Sequence, residues 1–191
     1  EARARPPPAA RRLAVCFTVV DGLPHEAIWR AWAAALDAEA VEVLFFVHAH
    51  KRKKAKDASA WVAARLIEPH YETAWGSVEL VRATLALLDA ALDEAPAYVA
   101  FASETCVPIA APAAVAALVS STPPASFLSC TGRPDSGYSR ERQWDKVDRA
   151  IASDHLWKAD QWVLLSAAHA EAVARLDAAA RKAARGRGRG D

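Results

Sequence analysis

The chain has no methionine, only three cysteines, and no apolar run of the roughly 18 to 20 residues that a helix needs to span a bilayer. Cys16, Cys106 and Cys130 show neither close pairing nor metal-type spacing, and an odd count leaves at least one thiol free. No disulfide framework is expected. Beginning at Glu1 without methionine, the sequence reads as a fragment whose targeting segment lies outside it. Neither sign of charge dominates: 24 basic against 23 acidic residues give a net charge of +1, so bulk charge selects no partner. There is no GxGxxG, no Walker loop, no HExxH and no GxSxG, which disfavours dinucleotide oxidoreductases, P-loop hydrolases, zinc proteases and serine hydrolases. An Asp-x-Asp after an apolar strand, the mark of a divalent ion on a nucleotide diphosphate, is missing too.

What is present is a set of buried-looking strands alternating with helices. After a Pro-, Ala- and Arg-rich lead-in over residues 1–12, Leu13 to Val20 (LAVCFTVV) and Val41 to Val47 (VEVLFFV) are continuous apolar runs, the pattern of parallel strands covered on both faces. Between them His25 to Leu36 carries Ile28, Trp29, Trp32 and Leu36 at helical spacing, the tryptophans facing the core. Arg65 to Glu68 is a short strand candidate and Tyr71 to Gly76 a turn. Ser77 caps a helix to Leu92 with Val78, Val81, Leu85, Leu88 and Leu92 as its apolar face. Tyr98 opens a further strand, and Pro112 a helix to Ser120. Ser126 to Cys130 is another short strand, Thr131 to Arg149 a long polar loop, and an Ala-rich helix from Ala167 to Arg185 fades into a basic Arg-Gly tail over residues 181–191. The expectation is one α/β domain over residues 13–180, a mostly parallel, Rossmann-type sheet in three layers.

The chemistry-bearing residues gather at strand exits, where such sheets bind ligands. They are His48 to Lys51, Trp75 and Gly76, Ser103 to Cys106 in the run YVAFASETCVPI, and the segment Trp157 to Trp162. Glu104 is the one candidate for a catalytic acid or base, although a single Glu in a turn is more often a hydrogen-bond acceptor. Cys106, between Thr105 and Val107-Pro108, reads as a small buried hydrophobe. His48 and His50 are not expected to share a metal ion. The basic clusters Lys51 to Lys56 and Arg181 to Arg189 read as solvated loop and tail, and no aromatics interleave with the Arg-Gly run to make it a nucleic-acid arm.

The order of these motifs resembles the core-2/I-branching β-1,6-N-acetylglucosaminyltransferase family (glycosyltransferase family 14), especially its plant and algal branch. LAVCFTVV, FFVHAHK, WGSVELVRATLALLDAAL, YVAFASETCVPI and HLWKADQW stand in the family's order over roughly residues 13 to 176. The third-to-last apolar strand and its turn are similar to the family's Leu-Ser-Glu-Ser-Cys-x-Pro-Leu, and the last string to its Trp-x-Lys-Gly-Ser-Gln-Trp. Ala159 and Asp160 stand where the family has Gly and Ser.

The resemblance implies a GT-A-like, inverting glycosyltransferase that moves a sugar, N-acetylglucosamine or xylose, from a UDP-sugar to a glycan or glycoprotein hydroxyl without a metal or other cofactor. It implies donor contacts at Val47, His48, Trp75 and Gly76. Ser103, Glu104, Cys106, Tyr138, Arg140, Arg142, Lys158, Gln161 and Trp162 would face the acceptor or brace the pocket. It also implies a lumenal Golgi setting, with membrane attachment through a segment not among these residues, and no nucleic-acid partner. The family's base-bearing Pro-Asp-Glu-His-Tyr segment has no counterpart after Arg175. The alternative is therefore a truncated or degenerate relative that binds nucleotide or carbohydrate without turnover.

Overall fold

In a computed structural model, which describes residues 11–131 and 158–187, the first strand divides the core into two halves. Along β1 (Arg11–Val19) the side chains of Leu13, Val15, Phe17 and Val19 join one hydrophobic cluster and those of Ala14 and Cys16 another, as the two-residue period of a strand dictates. All six are buried because β1 is an interior strand. β2 (Val41–Ala49) pairs with it in parallel from Arg11↔Val41 to Val19↔Ala49. β3 (Tyr98–Ser103) pairs in parallel on its other side from Leu13↔Tyr98 to Thr18↔Ser103.

Two very short strands, β4 (Cys130–Thr131) and β5 (Lys158–Ala159), form a separate antiparallel ladder. The last strand, β6 (Leu164–Ser166), adds to β3 in the antiparallel sense, giving the order β2-β1-β3-β6.

Helices cover both faces. On the side of Phe17 lie α1 (Glu26–Asp37), α2 (Arg52–Ala58), α3 (Ala60–Ala63) and α5 (Pro112–Val119), which contribute Trp29, Leu36, Ala55, Val62, Val115 and Val119 to that cluster. On the side of Cys16 lie α4 (Val78–Leu92) and α6 (Ala167–Arg187). The small Ala14 and Cys16 let α4 approach closely, and the Cys16 thiol reaches the Leu87 carbonyl at 3.6 Å. Burial in this apolar setting pushes the Cys16 thiol pKa up, out of the range of a reactive thiol. The larger face is held by rings: Phe17 meets Trp29 edge-on at 4.9 Å, and Trp29 meets Trp32 at 5.6 Å. Each such side chain buried stabilises the fold by about 1.5–3 kcal/mol. The architecture is the expected mostly parallel α/β sheet between helical layers.

Several boundaries and faces differ from expectation. β1 begins at Arg11 because Arg12 is drawn into the fold, its Nε 2.8 Å from Glu42 and its Nη1 donating to the Glu94 carbonyl at 2.8 Å. The basic run read as a solvated loop is helix α2, held to the core by buried Ala55. Arg65 to Glu68 gives only the parallel bridge Val47↔Leu66, since Pro69 lacks the N–H needed to extend it. The apolar face of α4 is Ala83, Ala86, Leu87, Leu88 and Ala91, whereas Val78 and Val81 are more than half exposed. α6 runs to Arg187, two residues past its expected end at Arg185, and the expected loop from Thr131 lies, beyond Thr131 itself, outside the described residues.

Candidate functional site at the carboxyl edge of the sheet

Because β1, β2 and β3 run in parallel, their ends share one edge, and the strand order reverses between β1 and β3, β1 being followed by β2 on one flank and β3 by β6 on the other. That is the switch point at which open α/β sheets leave a crevice. Three exits meet there. His50 N–H donates to the Val19 carbonyl at 2.9 Å and Lys51 N–H to the Val20 carbonyl at 2.7 Å, which joins β2 to β1 beyond their ladder. From β3, the Glu104 carboxylate accepts the Val20 N–H at 2.5 Å.

The turn that carries Glu104 closes on itself. Cys106 N–H donates to the Ser103 carbonyl at 3.1 Å, the Cys106 sulfur accepts the Ser103 N–H at 3.4 Å, and the Ser103 hydroxyl meets that of Thr105 at 3.1 Å. Two indole groups of α1 then fix the chain that follows: Trp29 Nε1 donates to the Cys106 carbonyl at 3.0 Å and Trp32 Nε1 to the Ala110 carbonyl at 2.9 Å. Behind this turn lies an apolar cleft of roughly 330 Å³ between α1, α5 and β3, lined in part by Trp32, Cys106, Ile109 and Leu118. Cys106 packs half-buried against the core with its sulfur on the Ser103 N–H, where a buried small hydrophobe is expected.

The segment 67–77 crosses the end of β2 and is laced to it. Arg52 donates to the Ile67 carbonyl at 2.7 Å and pairs with the Glu68 carboxylate at 2.6 Å. His70 Nε2 lies 3.0 Å from the Ala49 carbonyl, so it carries the proton and donates. His48 Nε2 accepts the Tyr71 N–H at 3.0 Å, which fixes its neutral form with the proton on Nδ1. The two imidazoles stack with centroids 5.4 Å apart and planes 9° apart. Burial, reinforced by the neighbouring charges of His70 and Arg52, lowers the His48 pKa to about 4.

Beyond these anchors the segment reaches Trp75, 99% exposed, and Gly76, whose φ of +74° places it in the left-handed region that favours glycine. Ser77 stands at the N-cap of α4, yet its hydroxyl accepts the Ala74 N–H at 3.1 Å, tightening the turn.

The residues singled out in the sequence thus divide. Ser103, Glu104, Cys106, Trp75 and Gly76 belong to segments at the carboxyl edge, and Gln161 and Trp162 come just before β6, which enters antiparallel to β3 at that same edge. Val47 and His48 are fully buried, so their side chains hold the edge together and present no surface to a ligand. Lys158 lies in β5, and Tyr138, Arg140 and Arg142 lie outside the described residues. Sequence reasoning missed His70 and Arg52; a third histidine within 23 positions of His48 was the available signal. No group of three or more His, Cys, Asp or Glu able to hold a metal occurs around His48 and His50 or elsewhere among the described residues.

A mostly parallel α/β sheet whose polar turns gather at one edge defines an α/β class of domain, and the family comparison narrows it. The family model for the Core-2/I-Branching enzyme matches residues 19–185, and the chain belongs to that family of glycosyltransferases. The architecture is consistent with a GT-A-like fold. No curated protein and no solved structure matches the chain. No helix among the described residues is long and apolar enough to cross a membrane.

Proposed function

We propose that this domain binds a UDP-sugar at the carboxyl edge of the sheet and transfers N-acetylglucosamine or xylose, with inversion, to a glycan or glycoprotein hydroxyl. The observation that supports the reading is the Glu104 turn, which bridges β3 to β1 at the carboxyl edge of the sheet in a chain of this glycosyltransferase family, with the segment leading to Trp75 laced to the end of β2 at the same edge. Trp75 would offer its exposed face to the uracil or sugar ring. His48 and His70 would hold that segment in place, and Ser103, Glu104, Gln161 and Trp162 would line the acceptor side. Transfer calls for a carboxylate that takes the acceptor proton while fixed donors stabilise the leaving diphosphate. We place no metal in this reaction. A lumenal Golgi setting and membership of the plant and algal branch complete the proposal.

The engagement of Glu104 with Val20 favours a second reading, in which a relative binds nucleotide without turnover, because an acid occupied in bridging two strands is poorly placed to act as a base. UDP release from a panel of UDP-sugars, measured with and without chelator, separates the two. Release from one donor that is faster with an acceptor and indifferent to chelator supports transfer. Saturable binding with no release from any donor supports the second reading.

A further inference from the structure

The basic residues of this chain fall into two groups. Every arginine whose side chain is described has a protein partner: Arg12 holds Glu42, Arg30 holds Glu26, Arg52 holds Glu68, Arg82 holds Glu79, and Arg11, Arg65 and Arg175 have theirs in Ser120, the Trp61 carbonyl and Glu171. The lysines whose side chains are described are Lys51, Lys53, Lys54 and Lys56, all exposed, and none is ion-paired or hydrogen-bonded through its side chain among the described residues. One acid, Asp57, shares their helix, and the Glu68 carboxylate beside it is occupied by Arg52.

The fold fixes where these free charges stand. Lys51 is tied at the carboxyl edge by its N–H bond to the Val20 carbonyl, and buried Ala55 turns α2 so that its lysines face outward. Four like charges over six residues add their fields at one end of the candidate site, and with no acid paired to them they attract a polyanion. Lysine ammonium groups are hydrated point charges that suit a flexible chain of acid groups better than one planar bidentate ligand.

We propose that the Lys51–Lys56 surface holds an acidic glycan, a polysaccharide carrying carboxylate or sulfate groups, as the acceptor or its extension; this rests on the glycosyltransferase reading above. Two other polyanions fit less well. Single-stranded nucleic acid needs a succession of exposed aromatic faces, whereas α2 has none, the neighbouring Trp61 ring is covered by the Arg65 guanidinium at 3.8 Å, and Trp75 is a single exposed ring on the segment beyond Glu68. A membrane surface needs an apolar helix face to bury, and the residue α2 turns inward, Ala55, is already buried in the core.

The test is binding of the protein to polygalacturonate, to heparin and to neutral dextran, with poly(U) RNA and phosphatidylserine vesicles as competing surfaces. The proposal predicts binding to polygalacturonate or heparin and none to dextran, the two acidic arms telling carboxylate from sulfate. Affinity should fall at least tenfold between about 50 and 300 mM salt. It should fall at least tenfold when Lys51, Lys53, Lys54 and Lys56 are all changed to Gln, and survive when all four are changed to Arg. Equal binding by the Gln variant, or tighter binding of RNA or vesicles than of both acidic glycans, overturns it. A UDP titration of each protein keeps the two ideas apart. Intact UDP binding without glycan binding removes only this surface, and glycan binding without UDP binding removes only the donor reading.

Discussion

The carboxylate of Glu104, where β3 ends, accepts the backbone N–H of Val20, where β1 ends, and so spans the switch point of the sheet. A hydrogen bond to a charged group stabilises by about 1.5–3 kcal/mol. Glu104→Ala should therefore lower the unfolding free energy by about 1–3 kcal/mol in urea denaturation, with Glu104→Gln, which keeps an acceptor oxygen, losing less. If Glu104→Ala instead abolishes turnover with stability untouched, the residue is a catalyst and not a bridge.

His48 predicts a pH dependence. Its pKa falls from 6.5 toward about 4 on folding, so between those values the unfolded chain binds a proton that the folded chain refuses. Stability should be full above about pH 6.5 and decline as the pH drops toward 4, by roughly 3 kcal/mol from this group. His48→Gln, with a carbonyl oxygen to accept the Tyr71 N–H, should flatten that slope in denaturation curves taken at several pH values; an unchanged slope would assign it to other groups.

Ala40 follows α1 with φ +58°, a conformation that strains any residue with a Cβ. Its N–H closes the helix end on the Asp37 carbonyl at 3.0 Å. Ala40→Gly should raise the unfolding free energy by about 0.5–1 kcal/mol, read as a higher urea midpoint at constant slope, and a lower midpoint would show that the turn tolerates alanine.

Trp75 has no packing to lose. Trp75→Ala should leave stability within about 0.5 kcal/mol of wild type while weakening UDP by the roughly 1–3 kcal/mol of a stacked base. Unaltered UDP affinity in a folded variant would remove Trp75 from the donor site.

The sequence made some of this legible and hid the rest for physical reasons. β1, β2 and β3 show as unbroken apolar runs because each is buried on both faces, and Trp29 and Trp32 face the core as their spacing implies. The inner face of α4 was misread because alanines mark it: with Ala14 and Cys16 opposite, small residues make the contact, while the larger Val78 and Val81 stand in the first turns, which face solvent. α2 was missed because a run of lysines has no apolar period beyond Ala55, although Lys and Ala are both good helix formers. The site's edge could be read from strand exits, whereas its lacing could not. His70 and Arg52 act through backbone carbonyls, and nothing in a side-chain pattern records where those lie.

The most direct measurement is calorimetric titration of the protein with UDP, with and without chelator. The account predicts saturable binding that a chelator leaves unchanged and that UDP-sugars displace. An absence of binding at millimolar nucleotide, in a protein shown to be folded, would contradict it.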